Sequence, residues 1–183
     1  THFSARVPDA EDEFLLNPFG LLFDEITASS LIKVDRDGNI LGDSDYPAHP
    51  AGFVIHGAIH TLARNADFVI HTHSRYGTAV AMQAQGLLPA GQKALTLAPW
   101  IAYHDYEGLS TDTAERARLA ASLGDKNAMI LRNHGILTCG ATVGEAFMLM
   151  YYLERSCRVQ MQVLASGRDF TVPSPEICRA AAA

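Results

Sequence analysis

Phe68-Val69-Ile70-His71-Thr72-His73-Ser74 is the stretch of sequence that decides the fold. Its first three residues form a short apolar run, which is typical of a strand buried on both faces. Two histidines separated by one residue follow. Because side chains alternate between the two faces of a strand, His71 and His73 are expected to point the same way. Two imidazoles on one face at a strand end supply half of a metal site.

A second apolar run, Ala128–Leu131, leads into Arg132-Asn133-His134-Gly135. Gly135 allows the backbone to turn sharply, so His134 is predicted to lie in a tight turn before the next strand. Three neutral imidazoles leave open positions on a divalent cation, whereas a structural zinc site is closed by four ligands. The pattern therefore favours a catalytic metal site. Three unrelated histidines remain the alternative interpretation.

Together these stretches resemble the class II aldolase/adducin family, and the resemblance covers nearly the whole chain. It also includes Pro50-Ala51-Gly52-Phe53-Val54-Ile55-His56 and Tyr103-His104-Asp105-Tyr106-Glu107-Gly108. In the metal-dependent members, the histidines matching His71, His73 and His134 hold zinc or a similar ion. The resemblance thus implies one divalent cation, with zinc favoured and manganese or iron as alternatives. It also implies a three-layer αβα sandwich.

The local patterns predict an α/β protein with a mainly antiparallel sheet. Strands are predicted at Phe3–Arg6, Phe14–Leu16, Leu31–Asp35, Asn39–Leu41, Leu95–Ala98 and Ile136–Cys139, besides the two apolar runs above. Helices are predicted over Phe53–Ala63, Tyr76–Gln85, the segment from Ser110-Thr111-Asp112 to Gly124, and Val143–Leu164. Thr142 and Glu145 form a capping-box pattern before the last helix.

Composition indicates one domain over residues 1–183, since 48% of the residues are hydrophobic. A net charge of −6 argues against nucleic-acid binding. The sequence contains no recognisable signal peptide and no apolar run of about 18 residues, so no membrane association is expected. Three cysteines without motif spacing favour a reducing, cytoplasmic location. Thr1–Arg6 resembles the middle of a family motif, so an N-terminal segment is expected to be missing, and Ala181-Ala182-Ala183 resembles a ragged end.

Sugar-phosphate aldolase chemistry is not expected, because the family's catalytic glutamate matches Gly52 here. The two phosphate-binding serines match Pro50 and Ala51, and a phosphate-contacting threonine matches Phe19, although Gly20 is kept. The resemblance then implies a metal-dependent lyase, an aldolase or decarboxylase, acting on a small non-phosphorylated hydroxy, oxo or aromatic acid. A non-haem iron oxygenase on the same scaffold and a non-catalytic adducin-like module are the alternatives.

Five further residues are candidates for the site. If the strand continues, Arg75 lies on the same side as His73 and could hold a substrate carboxylate. His56 and Gly20 are expected near the substrate by resemblance. Glu107 and His104 are candidates to replace the missing acid. The non-functional alternatives are a surface or interface arginine for Arg75 and a packed loop for the segment of His104 and Glu107. The last helix carries more apolar residues than one small core needs, which indicates a subunit interface. Together with the resemblance, this predicts a homotetramer.

Overall fold

The computed structural model describes residues 1–10, 12–48, 50–63, 65–109 and 112–182, and the side chains of all of these except 50–52 and 182. Within these residues, strands dominate the first third and alternate with helices thereafter. The strands are β1 (His2–Arg6), β2 (Glu13–Leu16), β3 (Ile32–Asp35), β4 (Phe68–Thr72), β5 (Ile101–His104), β6 (Ala128–Leu131) and β7 (Gly135–Gly140). The helices are α1 (Pro50–Leu62), α2 (Arg75–Ala81), α3 (Gln92–Leu97), α4 (Glu115–Leu123), α5 (Val143–Ala165) and α6 (Pro175–Ala182).

The strands form one sheet in the order β3-β2-β1-β4-β7-β6-β5. Neighbouring strands run antiparallel except β5 and β6, which are parallel. The expected mainly antiparallel sheet is therefore confirmed. β4 lies in the middle, with Ile70 opposite Phe3 on one side and Thr138 on the other. This central position explains why its sequence begins with a continuous apolar run.

Helices cover both faces of the sheet and produce the predicted three layers. On one face, Ile59 of α1 and Leu119 of α4 pack against β4, β6 and β7. On the other face, α2, α3 and α5 bury Val80, Leu97 and Leu153 against the same strands. The site at the end of β4 is thus supported by a packed core on both sides.

The long helix α5 agrees with its predicted pattern. The Thr142 hydroxyl accepts a hydrogen bond from the Glu145 backbone N–H at 3.1 Å, which is half of the expected capping box. The Glu145 carboxylate instead accepts from the backbone N–H of Ala141 at 2.9 Å. Ala146, Met150, Leu153 and Cys157 are buried along one side of the helix, as predicted. Even α5 is not apolar enough to cross a membrane, and neither is any other described helix.

The predicted strand Asn39–Leu41 does lie antiparallel to β3, but only as an isolated bridge between Ile40 and Val34. Two further element predictions are wrong. Leu95–Ala98 does not form a strand: Leu95 and Leu97 belong to α3, where exposed Thr96 between two buried leucines mimics strand alternation. The helix after β4 ends at Ala81 rather than at Gln85. Gly86 does adopt a positive φ of 66°, but it ends the turn that follows the helix.

β5 and α6 are found in addition to the predicted elements, and α6 includes Ala181, which the sequence suggested was part of a ragged end. β5 has only four residues, and its register is set by long-range pairing with β6. The predicted caps Ser110 and Thr111 lie outside the described residues. α4 begins at Glu115 and ends, as predicted, before Gly124.

A buried hydrogen-bonded chain joins β1 to α1. His60 is 1% exposed, and its Nδ1–H donates to the Ala66 carbonyl at 2.6 Å. Its Nε2 therefore accepts from the Ser4 hydroxyl at 2.7 Å. The Ser4 oxygen in turn accepts from the Nδ1–H of His56 at 2.5 Å. These hydrogen bonds require a neutral His60, and burial holds the pKa of His56 well below its usual value.

We expect acid to destabilise the fold through His60. The pKa of His60 is lowered to about 4, chiefly by burial and also by nearby Arg6, whereas the hydrogen bond to the Ala66 carbonyl and the charge of Asp67 oppose the shift. An unfolded chain takes up this proton near pH 6.5, so the free energy of unfolding decreases between pH 6.5 and 4, by up to about 1.4 kcal/mol per pH unit. Urea unfolding of chelator-treated protein across this range tests the effect. His60→Gln should show a shallower pH dependence, and parallel curves would contradict the assignment.

Candidate metal centre

Three histidines from two chain segments meet at one end of the sheet. His71 lies in β4, and His73 follows the last residue of that strand. His134 lies in the turn between β6 and β7, where Asn133 adopts a positive φ of 56°. β4 pairs with β7, placing Thr72 opposite Ile136, so the strand end and the turn are neighbours. Strand pairing therefore brings together residues separated by sixty positions of sequence.

The Nε2 atoms of the three rings point at one another. The distance is 2.9 Å from His71 Nε2 to His73 Nε2, and 2.8 Å from His73 Nε2 to His134 Nε2. The three ring nitrogens all lie within 4.8 Å of one another, as a shared metal ion requires. His71 is buried, His134 is partly buried and His73 is exposed. A ligand could therefore reach the cluster from solvent.

The hydrogen bond of His71 fixes which nitrogen is available. Its Nδ1–H donates to the Ile136 carbonyl at 3.1 Å, leaving an unshared electron pair on Nε2. A backbone carbonyl on the far nitrogen is the usual support for a metal-binding histidine. The donor set is three imidazoles without a carboxylate, which fits zinc, copper, iron or nickel better than magnesium or calcium. The residues present therefore fit a transition-metal ion.

Electrostatics favour the neutral, metal-binding form of these rings. Burial, followed by the neighbouring His134 and His73, holds the pKa of His71 well below its usual value. Burial and then His73 lower the pKa of His134 to about 4. Burial also lowers the pKa of His73. Protons should therefore compete with a metal ion at a lower pH than the 6.5 of an unperturbed histidine.

His56 lies behind the cluster rather than in it. Its ring is fully buried in α1 and makes an edge contact with the His71 ring, with 6.5 Å between centroids. Its Nδ1–H is held by Ser4, as described above. His56 Nε2 is buried without a hydrogen-bond partner among the described residues. His56 thus supports His71 from the core, and a substrate outside the protein would not reach it in this conformation.

Arg75 does not occupy the position that strand alternation predicted. β4 ends at Thr72, and Arg75 is the first residue of α2, so the argument from a continuing strand fails. Its side chain is exposed close in sequence to His73. Gly20 is exposed with a positive φ of 98° and open space around it, next to the exposed ring of Phe19.

His104 and Glu107 do lie close together, near His134. His104 is 6% exposed at the end of β5, not in a loop, and its Nε2 is 3.7 Å from the carboxylates of Glu107 and Glu115. These three residues and His134 are among those that line a cavity of about 10 Å³, large enough for about one water molecule. Arg118 donates three hydrogen bonds to Glu107 and thereby lowers its pKa.

Two groups that contact the histidines or the segment next to them could not be found from the sequence. The Ile136 carbonyl carries no side-chain signal, and its role follows only from strand register. The Glu154 carboxylate of α5 accepts hydrogen bonds from the segment that follows His73. In the sequence, Glu154 is an ordinary polar position on an amphipathic helix. No pattern in the chain could have identified either group.

Comparison with known proteins gives consistent results. The sequence model of the class II aldolase and adducin N-terminal domain matches residues 1–161. A Caulobacter vibrioides protein provisionally named as a class 2 aldolase is 48% identical over 96% of this chain and 68% of its own length. Rat alpha-adducin is 40% identical over 91% of this chain, which corresponds to only 23% of the adducin. A crystal structure of an aldolase II superfamily protein from Pseudomonas syringae superimposes with a TM-score of 0.94 at 48% identity, covering 99% of this chain and 74% of that one.

Proposed function

The chain belongs to the family of class II aldolase and adducin N-terminal domains, and on that premise we propose that it is a divalent-metal-dependent lyase. It would act as an aldolase or decarboxylase on a small non-phosphorylated hydroxy, oxo or aromatic acid. The convergence of the three Nε2 atoms of His71, His73 and His134 is the observation that carries the proposal. Zinc is the favoured ion, with manganese or iron as alternatives.

In this proposal the three histidines hold the ion and the surrounding residues handle the substrate. A bound divalent ion would supply a Lewis acid that accepts negative charge on a substrate oxygen. Arg75, exposed beside His73, would bind the substrate carboxylate by a charge-assisted contact. His104 and Glu107 would hold or move a proton through the water-sized cavity beside His134. The ion pair with Arg118 favours the charged form of Glu107, which suits a proton acceptor better than a donor.

The test is a substrate panel assayed with the metal-loaded protein. Hydroxy, oxo and hydroxylated aromatic acids would be screened for carbon dioxide or aldehyde release. Wild type should turn over at least one class of acid, and His134→Ala should lose that turnover while remaining folded. A variant that keeps full turnover would exclude the metal-dependent mechanism. Uptake of dioxygen with an iron-loaded sample would instead favour the oxygenase alternative.

We expect sugar phosphates to be poor substrates. Phe19 presents an exposed apolar ring where the family places a phosphate contact. Pro50 and Ala51 offer no side-chain hydrogen bond, although their side chains lie outside the described residues. Kinetic comparison of a phosphorylated ketose with its dephosphorylated form should show little preference. A phosphorylated form bound several-fold more tightly would contradict this expectation.

An adducin-like binding module is the second candidate function. The 40% identity to rat alpha-adducin, spread over most of this chain, is the observation that favours it. The retained histidine triad argues for the lyase, because a purely binding module has no need of metal ligands.

We also propose a cytoplasmic homotetramer, supported by exposed Val143, Phe147 and Tyr151 along α5. Light scattering that reports a monomer would contradict this oligomeric state.

A further inference from the structure

Glu154 of α5 contacts the segment that follows His73. Its Oε2 accepts a hydrogen bond from the Ser74 hydroxyl at 2.5 Å and another from the backbone N–H of Gly77 at 2.9 Å. Ser74 and Gly77 belong to the start of α2, so one carboxylate oxygen ties that helix start to the middle of α5. The two contacts bridge nearly eighty residues of sequence.

Glu154 replaces the usual cap of α2. An N-cap serine normally accepts a hydrogen bond from the backbone N–H three residues later. The Ser74 side chain makes no such cap here, and its hydroxyl donates to Glu154. The Gly77 N–H, which the serine would otherwise satisfy, also goes to Glu154. Among the described residues no basic side chain forms an ion pair with this carboxylate, and its direct hydrogen bonds come from these two neutral donors.

His73 depends on this contact more than the other two histidines do. His71 lies inside β4 and is held by the Ile136 carbonyl, whereas His73 lies past the strand end with an exposed ring. On its N-terminal side, His73 is fixed by the pairing of Thr72 with Ile136. On its C-terminal side, the adjacent Ser74 is fixed by Glu154. The space around Ser74 is tight, since a Cβ at Gly77 would lie 2.6 Å from its hydroxyl oxygen and 2.8 Å from Ile136.

We propose that Glu154 is a positioning residue of the metal centre, which acts through Ser74 to hold His73 in the geometry that closes the triad. Its negative charge also favours a cation bound at the adjacent histidines. This inference rests on the proposed metal-dependent function. It assigns to α5, which supplies no metal ligand, a direct influence on metal affinity.

Zinc affinity is the quantity that tests the proposal. Zinc binding would be measured by competition with a chromophoric chelator for wild type and for Glu154→Gln, which keeps the shape but removes the charge. The dissociation constant for zinc should rise about 10- to 100-fold, the range found when outer partners of metal ligands are replaced. Glu145→Gln is the matched control, because Glu145 also accepts a backbone N–H near a helix start on α5. Its zinc affinity should change less than about twofold.

Both glutamates make a cap, so both variants should lose similar stability in chelator-treated protein. If capping were the whole role of Glu154, neither variant would lose zinc affinity. The proposal expects that loss in Glu154→Gln alone. Equal zinc affinity in the two variants would overturn the proposal. If Glu154→Gln does not fold, Ser74→Ala removes one of the two hydrogen bonds and should still weaken zinc binding several-fold. Unchanged affinity in that variant would overturn the proposal as well. A wild-type protein that binds no zinc would instead overturn the proposed metal-dependent function.

Discussion

Replacing His71 or His134 by alanine is expected to remove nearly all the metal that the protein binds. Wild type should hold about one ion per chain, because the three imidazole nitrogens lie close enough together to bind one ion jointly. Two histidines compete poorly with water for zinc, so each variant should keep less than about a tenth of an ion. The fold should survive, since its core is formed by apolar side chains on both faces of the sheet.

Elemental analysis of protein purified without chelators and reconstituted with zinc, manganese or iron gives the metal content. His104→Gln is the matched control, because His104 is another buried histidine near the site that lies outside the triad. It should keep the wild-type metal content. Circular dichroism checks the fold of each variant. Equal metal content in wild type, His71→Ala and His134→Ala would place the metal elsewhere, and no metal in wild type would favour the adducin-like module.

Gly135→Ala is expected to disrupt both the fold and the metal site. Gly135 begins β7 directly after His134, and a Cβ there would lie 2.4 Å from the Thr72 carbonyl oxygen and 3.2 Å from the His73 ring. The carbonyl belongs to the backbone of β4, so the clash cannot be relieved by rotating a side chain. The ends of β4 and β7 would have to separate, which moves His73 away from His134. Overpacking of this kind costs roughly 2–3 kcal/mol.

Thermal unfolding should show a decrease in Tm of about 4–12 °C for Gly135→Ala. Zinc affinity should decrease in the same variant. Gly91→Ala is the matched control, because Gly91 has an ordinary φ of −112° and open space for a Cβ. Because Gly91 is the N-cap of α3, its replacement by alanine should lower the free energy of unfolding by at most about 1 kcal/mol, and it should leave zinc affinity unchanged. A stable Gly135→Ala protein with wild-type zinc affinity would show that the strand ends tolerate the extra methyl group.

Periodicity predicted most of the elements, and the failures have physical causes. The strand at Phe68 and the helix after Thr142 were correct, because burial gives the strand a continuous apolar run and the helix a long 3.6-residue period. α3 was mistaken for a strand because only six residues form it, and so short a pattern fits either period. β5 was missed because Ile101-Ala102-Tyr103-His104 shows neither the continuous apolar run of β6 nor a regular alternation. Its structure depends on pairing with β6.

The candidate site also contains residues that the sequence predicted correctly and residues that it misplaced. Sequence proposed the three histidines from residue type, strand alternation and family resemblance, and the structure brings all three together. Arg75 was misplaced because alternation holds only while a strand continues, and the chain turns into a helix two residues after His73. Glu107 was proposed as a replacement for the missing acid, and its ion pair with Arg118 could not be anticipated because Arg118 comes from another element.

The sequence by itself determined which residues can bind a metal and which segments are buried, because chemistry and periodicity are local properties. Only the tertiary structure decided how those residues are held. The Ile136 carbonyl selects the free nitrogen of His71, Gly135 lets two strands approach, and Glu154 fixes the start of α2. Each of these contacts joins positions far apart in the chain. Their distances are set by strand register and helix packing, which depend on the whole core.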